Sequence, residues 1–255
     1  LYLRMHPTPV NTIDEVISSL TEIINKAEQA NDPAGYFAAL YRKVTIKVKE
    51  GIASGYFDDG QRMEQLDVVF AKRYLDAWYN YRNKAQITLS WQKTFDLLTD
   101  NKPIVLQHLL MGMNAHINLD LGIATAEVSG EKNIDSLGND FIRINEILSS
   151  LVHEVEDNLS SIWPALKFIL KHTGEIDDYL VDFSMELARD GAWKFANQFI
   201  KVPEAERQRA IGERDQSVAA KTGLILKPGL LAGIALWLIR ITEQGSVAGK
   251  IRKLA

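Results

Sequence analysis

The chain has no cysteine among its 255 residues, which excludes disulfides, thiolate metal sites, iron–sulfur clusters and a cysteine nucleophile. Any metal would have to be held by histidine and carboxylate. Proline is scarce, at 7 residues, and no Ser/Gly/Pro-rich stretch or fixed-period repeat divides the sequence. Neither sign of charge dominates, since 29 Lys and Arg stand against 33 Asp and Glu for a net charge of -4. With the signs interspersed, no basic surface for nucleic acid is expected. Long apolar runs are also missing. The stretch from Gly223 to Ile241 comes nearest, but Lys227, Pro228 and Arg240 interrupt it. Its longest uncharged run, Pro228 to Ile239, falls short of the ~20 residues that cross a bilayer. A buried C-terminal helix is expected there rather than an interfacial anchor. Leu1-Tyr2-Leu3-Arg4-Met5 lacks the apolar core of a signal peptide, and the expected location is the cytoplasm.

What is present is helical periodicity almost throughout. An all-α, single multi-helix domain over residues 11–255 is therefore expected, preceded by a flexible segment at 1–10. Thr12-Ile13-Asp14-Glu15 has the form of a capping box, predicting a helix to about Ala30 that Asn31-Asp32-Pro33 ends. Tyr36, Phe37, Leu40, Tyr41, Val44 and Val48 mark a second helix, and Met63, Leu66, Phe70, Tyr74, Ala77, Trp78 and Tyr81 a third. A short helix is expected at 89–98, then a long apolar one to about Thr125 with Pro103 in its first turn. Residues 127–138 read as a loop. Helices follow at 140–162, 164–172, 176–200 and from 203 to about 222, before the apolar C-terminal one. The five tryptophans, Trp78, Trp91, Trp163, Trp193 and Trp237, are expected in the core.

The segment from His108 to Gly122 carries the most chemistry. At ~100° per residue it puts Val105, Leu109, Gly112, His116, Leu119, Asp120 and Ile123 on one face, with Gln107, Asn114 and Asn118 opposite. His116 and Asp120 thus project from the apolar face one turn apart, where a buried carboxylate needs a partner. Gly112, midway between His108 and His116, either leaves room beside them or serves tight helix packing. Asp67 falls within the aromatic stripe of the third helix and is expected to be buried too. His153-Glu-Val-Glu-Asp157 repeats the His-x-x-x-Asp spacing, although its helical wheel sends both residues to solvent. Asp58 and Asp59 fit helix capping, and Arg62 and Arg73 are placed to pair with buried carboxylates. His6 and His172 suit terminal and helix-end roles. No nucleophile elbow, P-loop, dinucleotide fingerprint, H-E-x-x-H or Glu-x-x-His pair is present.

The motif His108-x3-Gly112-x-Asn114-Ala115-His116-Ile117-x2-Asp120-Leu121, with the Gly-Tyr-Phe-Asp-Asp-Gly-x-Arg-Met-Glu-x-Leu-Asp segment at 55–67, resembles a bacterial family known only as a domain of unknown function. The likeness runs from about residue 32 to 240 and implies an all-helical domain without a settled activity. The doubled His-x-x-x-Asp is also similar to zinc-dependent phospholipase C and the fungal single-strand nucleases. Those enzymes continue with Pro-x-His, which is lacking after Asp120 here.

Three functions are open at this point. The leading one is a metal-assisted hydrolase of an ester or phosphoester, with His116, Asp120 and Asp67 as catalytic residues. His108, His116, Asp120, Asp67, His153 and Asp157 would surround a divalent ion, zinc first, with manganese or iron as alternatives. The second is a metal-free enzyme in which Asp120 orients His116 as acid and base on an apolar small molecule. The third is a protein that binds a lipid-like or terpenoid-like ligand.

Overall fold

A computed structural model describes residues 9–130, 134–163, 185–227 and 229–255. The first helix, α1 (Ile13–Ala30), starts at the capping box, where the Thr12 hydroxyl accepts from the Glu15 N–H while the Glu15 carboxylate accepts from the Thr12 N–H. It buries Val16, Leu20, Ile23 and Ile24 and ends at Asn31, whose φ of 51° lets the Asp32 N–H close back on the Ala27 carbonyl at 2.8 Å. Left-handed backbone of this kind is where asparagine substitutes for glycine. Helix α2 (Ala34–Ala53) lies against α1, and α3 (Gly60–Arg82) opens with Asp59 accepting from the Arg62 N–H at 3.0 Å.

After α4 (Leu89–Asp96) the chain forms the central rod of the fold. It runs through α5 (Val105–Ala115), a π-helical turn at His116–Leu121 and α6 (Gly122–Ser129). Then come α7 (Gly138–Ile162), α8 (Met185–Phe199), α9 (Glu204–Ala220), α10 (Thr222–Leu226), α11 (Leu230–Thr242) and α12 (Val247–Leu254). The described residues contain no strand and pack as one all-helical domain, as the periodicity implies. Helices α2, α3, α4, α8 and α9 surround the rod.

Several details differ from the sequence expectations. Pro103 lies outside α5, whose first amides are instead met by side chains: Glu243 accepts from the Val105 N–H at 3.0 Å and Gln107 from the Ile104 N–H at 3.2 Å. The rod continues to Ser129, shortening the expected loop, and α12 was not anticipated at all. The rod is enclosed along most of its length, so Gln107, Asn114 and Asn118, opposite the apolar face, are buried as well. Trp78, Trp91 and Trp163 are core, whereas Trp237 is 60% exposed. With Ile234, Leu238 and Ile241 it gives α11 an open apolar face, the other side of the helix burying Leu236 and Ile239. The C-terminal apolar helix is therefore only half buried. Among the described residues no helix is long and apolar enough to cross a membrane. The helix expected at 164–172, and the start of the one at 176–200, lie outside the described residues, as do His6 and His172.

Gly112 serves packing, not vacant space. A Cβ there would lie 2.4 Å from Cδ2 and 2.5 Å from Cγ of Phe37, so the ring occupies the volume that glycine leaves. Gly122 plays the same part against α8, where a Cβ would meet the Ala192 carbonyl at 2.8 Å. Alanine at 112 would gain about 1 kcal/mol of helix propensity, but a rigid buried ring cannot yield and overpacking costs about 1–3 kcal/mol. Gly112→Ala is therefore expected to lower the melting temperature; a rise would show that Phe37 moves freely.

Candidate functional site

The site is assembled from α2, α3, α4 and the π-helical turn. Asp120, 1% exposed, is its electrostatic centre. Its Oδ1 accepts from Arg73 Nε at 2.9 Å, and its Oδ2 accepts from Trp91 Nε1 at 2.8 Å and meets His116 Nδ1 at 3.3 Å. Burial alone would raise the Asp120 carboxyl, but the Arg73 charge, followed by the His116 and Trp91 contacts, outweighs it and holds the group below its ordinary value. The carboxylate is thus ionised and can only accept. His116 Nδ1 must then carry the ring proton, which leaves the lone pair on Nε2.

His116 is 2% exposed, and its Nε2 has no hydrogen-bond partner. Burial, the largest influence, lowers its pKa below the usual histidine value against the opposing pull of Asp120, with Arg73 adding to the lowering. The neutral imidazole is walled by aromatic rings. Phe70 stacks on it at 3.6 Å and 7°, Tyr41 stands edge-on at 4.5 Å, and Phe37, Tyr74 and Trp91 complete the wall at 5.8, 6.1 and 6.0 Å. Of these rings only Phe70 is partly exposed.

Two more polar atoms beside this wall lack partners, the Tyr41 hydroxyl and Asp67 Oδ2. Burial pushes the Asp67 carboxyl up to about 8, with the Glu64 charge adding to it. Burial also raises Tyr41 well above its ordinary value, and the charges of Asp67 and Asp120 add to that. At neutral pH all three groups are therefore uncharged, and the site offers one proton acceptor, His116 Nε2, beside two hydroxyl-type donors. Buried polar atoms are normally satisfied.

Of the sequence-derived set, the structure joins His116 to Asp120 and places Asp67 near Tyr41. His108 is not brought to them. It precedes His116 by eight residues on the rod, about 12 Å at 1.5 Å per residue, and its ring meets Tyr36 at 5.6 Å. There it lines a small cavity of about 20 Å³ with Phe37, Tyr74, Trp91 and Phe95. The side chains of His153 and Asp157 lie outside the described residues. Among the described residues no three His, Asp or Glu side chains form a group that could hold a metal ion. Arg73 pairs with Asp120 as expected of it, whereas Arg62 donates to the Ser136 hydroxyl. Asp59 caps α3, and Asp58 pairs with Arg143.

Sequence reasoning missed Tyr41, Phe70 and Trp91 as site residues, because each lies on an ordinary apolar stripe of its own helix. It also missed the π-helical turn, which inserts a residue into the hydrogen-bonded ring and often marks functional positions. Here Arg214 Nε donates to the Asn118 carbonyl on that turn at 2.9 Å.

The unpartnered Asp67 gives a signed pH effect. Its folded-state pKa of about 8 lies above the unfolded value of 3.8, so between those limits the folded chain holds a proton that the unfolded chain has lost. Its contribution is fully present below pH 3.8 and is lost as pH rises through about 8, with a slope of about 1.4 kcal/mol per pH unit. Asp67→Asn is expected to flatten that decline in urea-unfolding curves taken from pH 5 to 8; an unchanged slope would mean that Asp67 is ionised in the folded chain.

No curated protein and no solved structure matches the chain. Residues 13–228 match the family described as "Family of unknown function (DUF5995)", in keeping with the expected likeness to a family of unknown function. The match spans most of the sequence, and the chain belongs to that family.

Proposed function

We propose that the chain is a metal-free acid–base catalyst acting on an apolar small molecule, with His116 as the proton-transfer group. What carries this is the buried, unpartnered Nε2 of an imidazole whose other nitrogen is fixed by an ionised Asp120. A base so held is ready to accept a proton from a bound ligand without reorienting, and the imidazolium that forms gains attraction from Asp120. Tyr41 and Asp67, uncharged at neutral pH, can donate hydrogen bonds to an oxygen on which negative charge develops. The aromatic wall favours an apolar substrate. Access is by displacement of Phe70, the one partly exposed ring.

A panel of carboxylic esters, phosphoesters and small carbonyl compounds tests this. His116→Gln is expected to cut turnover by about 10²–10⁴-fold while circular dichroism shows the fold retained. Because burial lowers the His116 pKa, activity should hold through neutral pH and fall only below the ordinary histidine range. Turnover that survives His116→Gln would refute the proposal. Activity that requires added zinc, manganese or iron would favour the metal-assisted hydrolase, and binding of apolar probes without turnover would favour a lipid-like or terpenoid-like ligand-binding protein.

A further inference from the structure

On the π-helical turn, Asn118 is approached by two cations. Arg214, on α9, donates from Nε to the Asn118 carbonyl at 2.9 Å, and Lys221, just beyond the end of α9, donates from Nζ to Asn118 Oδ1 at 3.3 Å. Asn118 is 2% exposed, and its amide is oriented by a relay. Asn114 Nδ2 donates to the Val218 carbonyl at 3.0 Å, and Asn114 Oδ1 accepts from Asn118 Nδ2 at 3.2 Å. That leaves Asn118 Oδ1 facing Lys221.

Like charges gathered on one residue repel, and each would ordinarily be matched by a carboxylate. None is present: among the described residues neither Arg214 nor Lys221 forms an ion pair. Asp215, the neighbour of Arg214, is turned away and accepts from the Leu89 and Ser90 N–H groups at 2.6 and 2.9 Å. The guanidinium is backed by the Phe195 ring, 5.2 Å from its carbon to the ring centroid, and its Nη2 lies over Gly191 of α8, 3.4 Å from where a Cβ would stand. Only Nε of Arg214 is committed. Its terminal nitrogens and the remaining Lys221 protons are available, and together they offer the planar fork and point charge that recognise a tetrahedral oxyanion. Burial lowers both cations' pKa values, and the Arg214 charge lowers Lys221 further, in keeping with a cationic pair short of a counter-charge.

We propose that Arg214 and Lys221 form a binding site for a phosphate group, set on the Asn118 flank of the π-helical turn. The site is independent of the reaction assigned to His116. A phosphate monoester and a lipid headgroup present the same chemistry to it.

The test uses the full chain and inorganic phosphate, with chloride at matched ionic strength as reference, read by titration calorimetry and thermal shift. Saturable one-site binding is expected, weakened about tenfold or more in Lys221→Gln, as the loss of one charge-assisted contact implies. Lys102→Gln, a change at an exposed residue away from the site, should leave binding unaltered. Arg214→Gln is the second variant, with the fold checked by circular dichroism because it also touches the turn. Vesicles of phosphatidate in phosphatidylcholine, run beside phenyl phosphate, distinguish a lipid headgroup from a soluble ester. Absence of saturable binding to every one of these probes, or equal binding by the parent and Lys221→Gln, overturns the proposal.

Discussion

The fold turns on a carboxylate that has been taken out of water and given three donors. Asp120 draws Arg73 from α3, Trp91 from α4 and His116 from its own turn, so three elements meet at one side chain. Burying an ionised carboxylate costs several kcal/mol unless it is paired and hydrogen-bonded, and removal of any one donor leaves that cost partly uncompensated. The same network decides the state of His116. An acceptor-only Asp120 fixes the proton on Nδ1 and bares Nε2 within the aromatic wall.

Buried carboxylates recur as tethers between distant parts of this cysteine-free chain. Asp140, fully buried, accepts from the Asp58 and Asp59 N–H groups at 2.7 and 3.0 Å, holding α7 to the start of α3. Asp215 does the same for the start of α4, and Glu243 reaches the Val105 N–H while Lys250 stands 3.3 Å away. Each anion sits where a helix leaves amide protons unpaired, which is favourable on both hydrogen-bonding and dipole grounds. Asp67 breaks this pattern, since it is buried in the aromatic stripe with Oδ2 unpartnered. That contrast separates a carboxyl placed for architecture from one placed beside the Tyr41 hydroxyl.

The helical architecture was legible because apolar spacing and caps are local signals. Thr12 with Glu15, Asn31 and Asp59 act at the positions their sequence context implies. The burial of His116, Asp120 and Asp67 was legible for the same reason, from their places on apolar faces. What escaped was long-range. Trp91 reaches Asp120 across 29 residues and Asp215 reaches Ser90 across 125, and nothing in either neighbourhood announces the partner. Gly112 was legible as unusual but not as to cause, because Phe37 comes from another helix. His108 shares a rod with His116, yet eight residues of helix separate them too far for one ion. The apolar C-terminal stretch misled because composition does not report which face of α11 finds a neighbour.

The chemistry at His116 turns on a single proton, and nitrogen-15 NMR of the His116 ring in the full chain reports on it directly. The ring is expected to be a neutral imidazole at pH 7 with the proton on Nδ1, a bare Nε2, and protonation only below the ordinary histidine value of 6.5. A ring protonated on Nε2 at neutral pH, or one that titrates above 6.5, would contradict it.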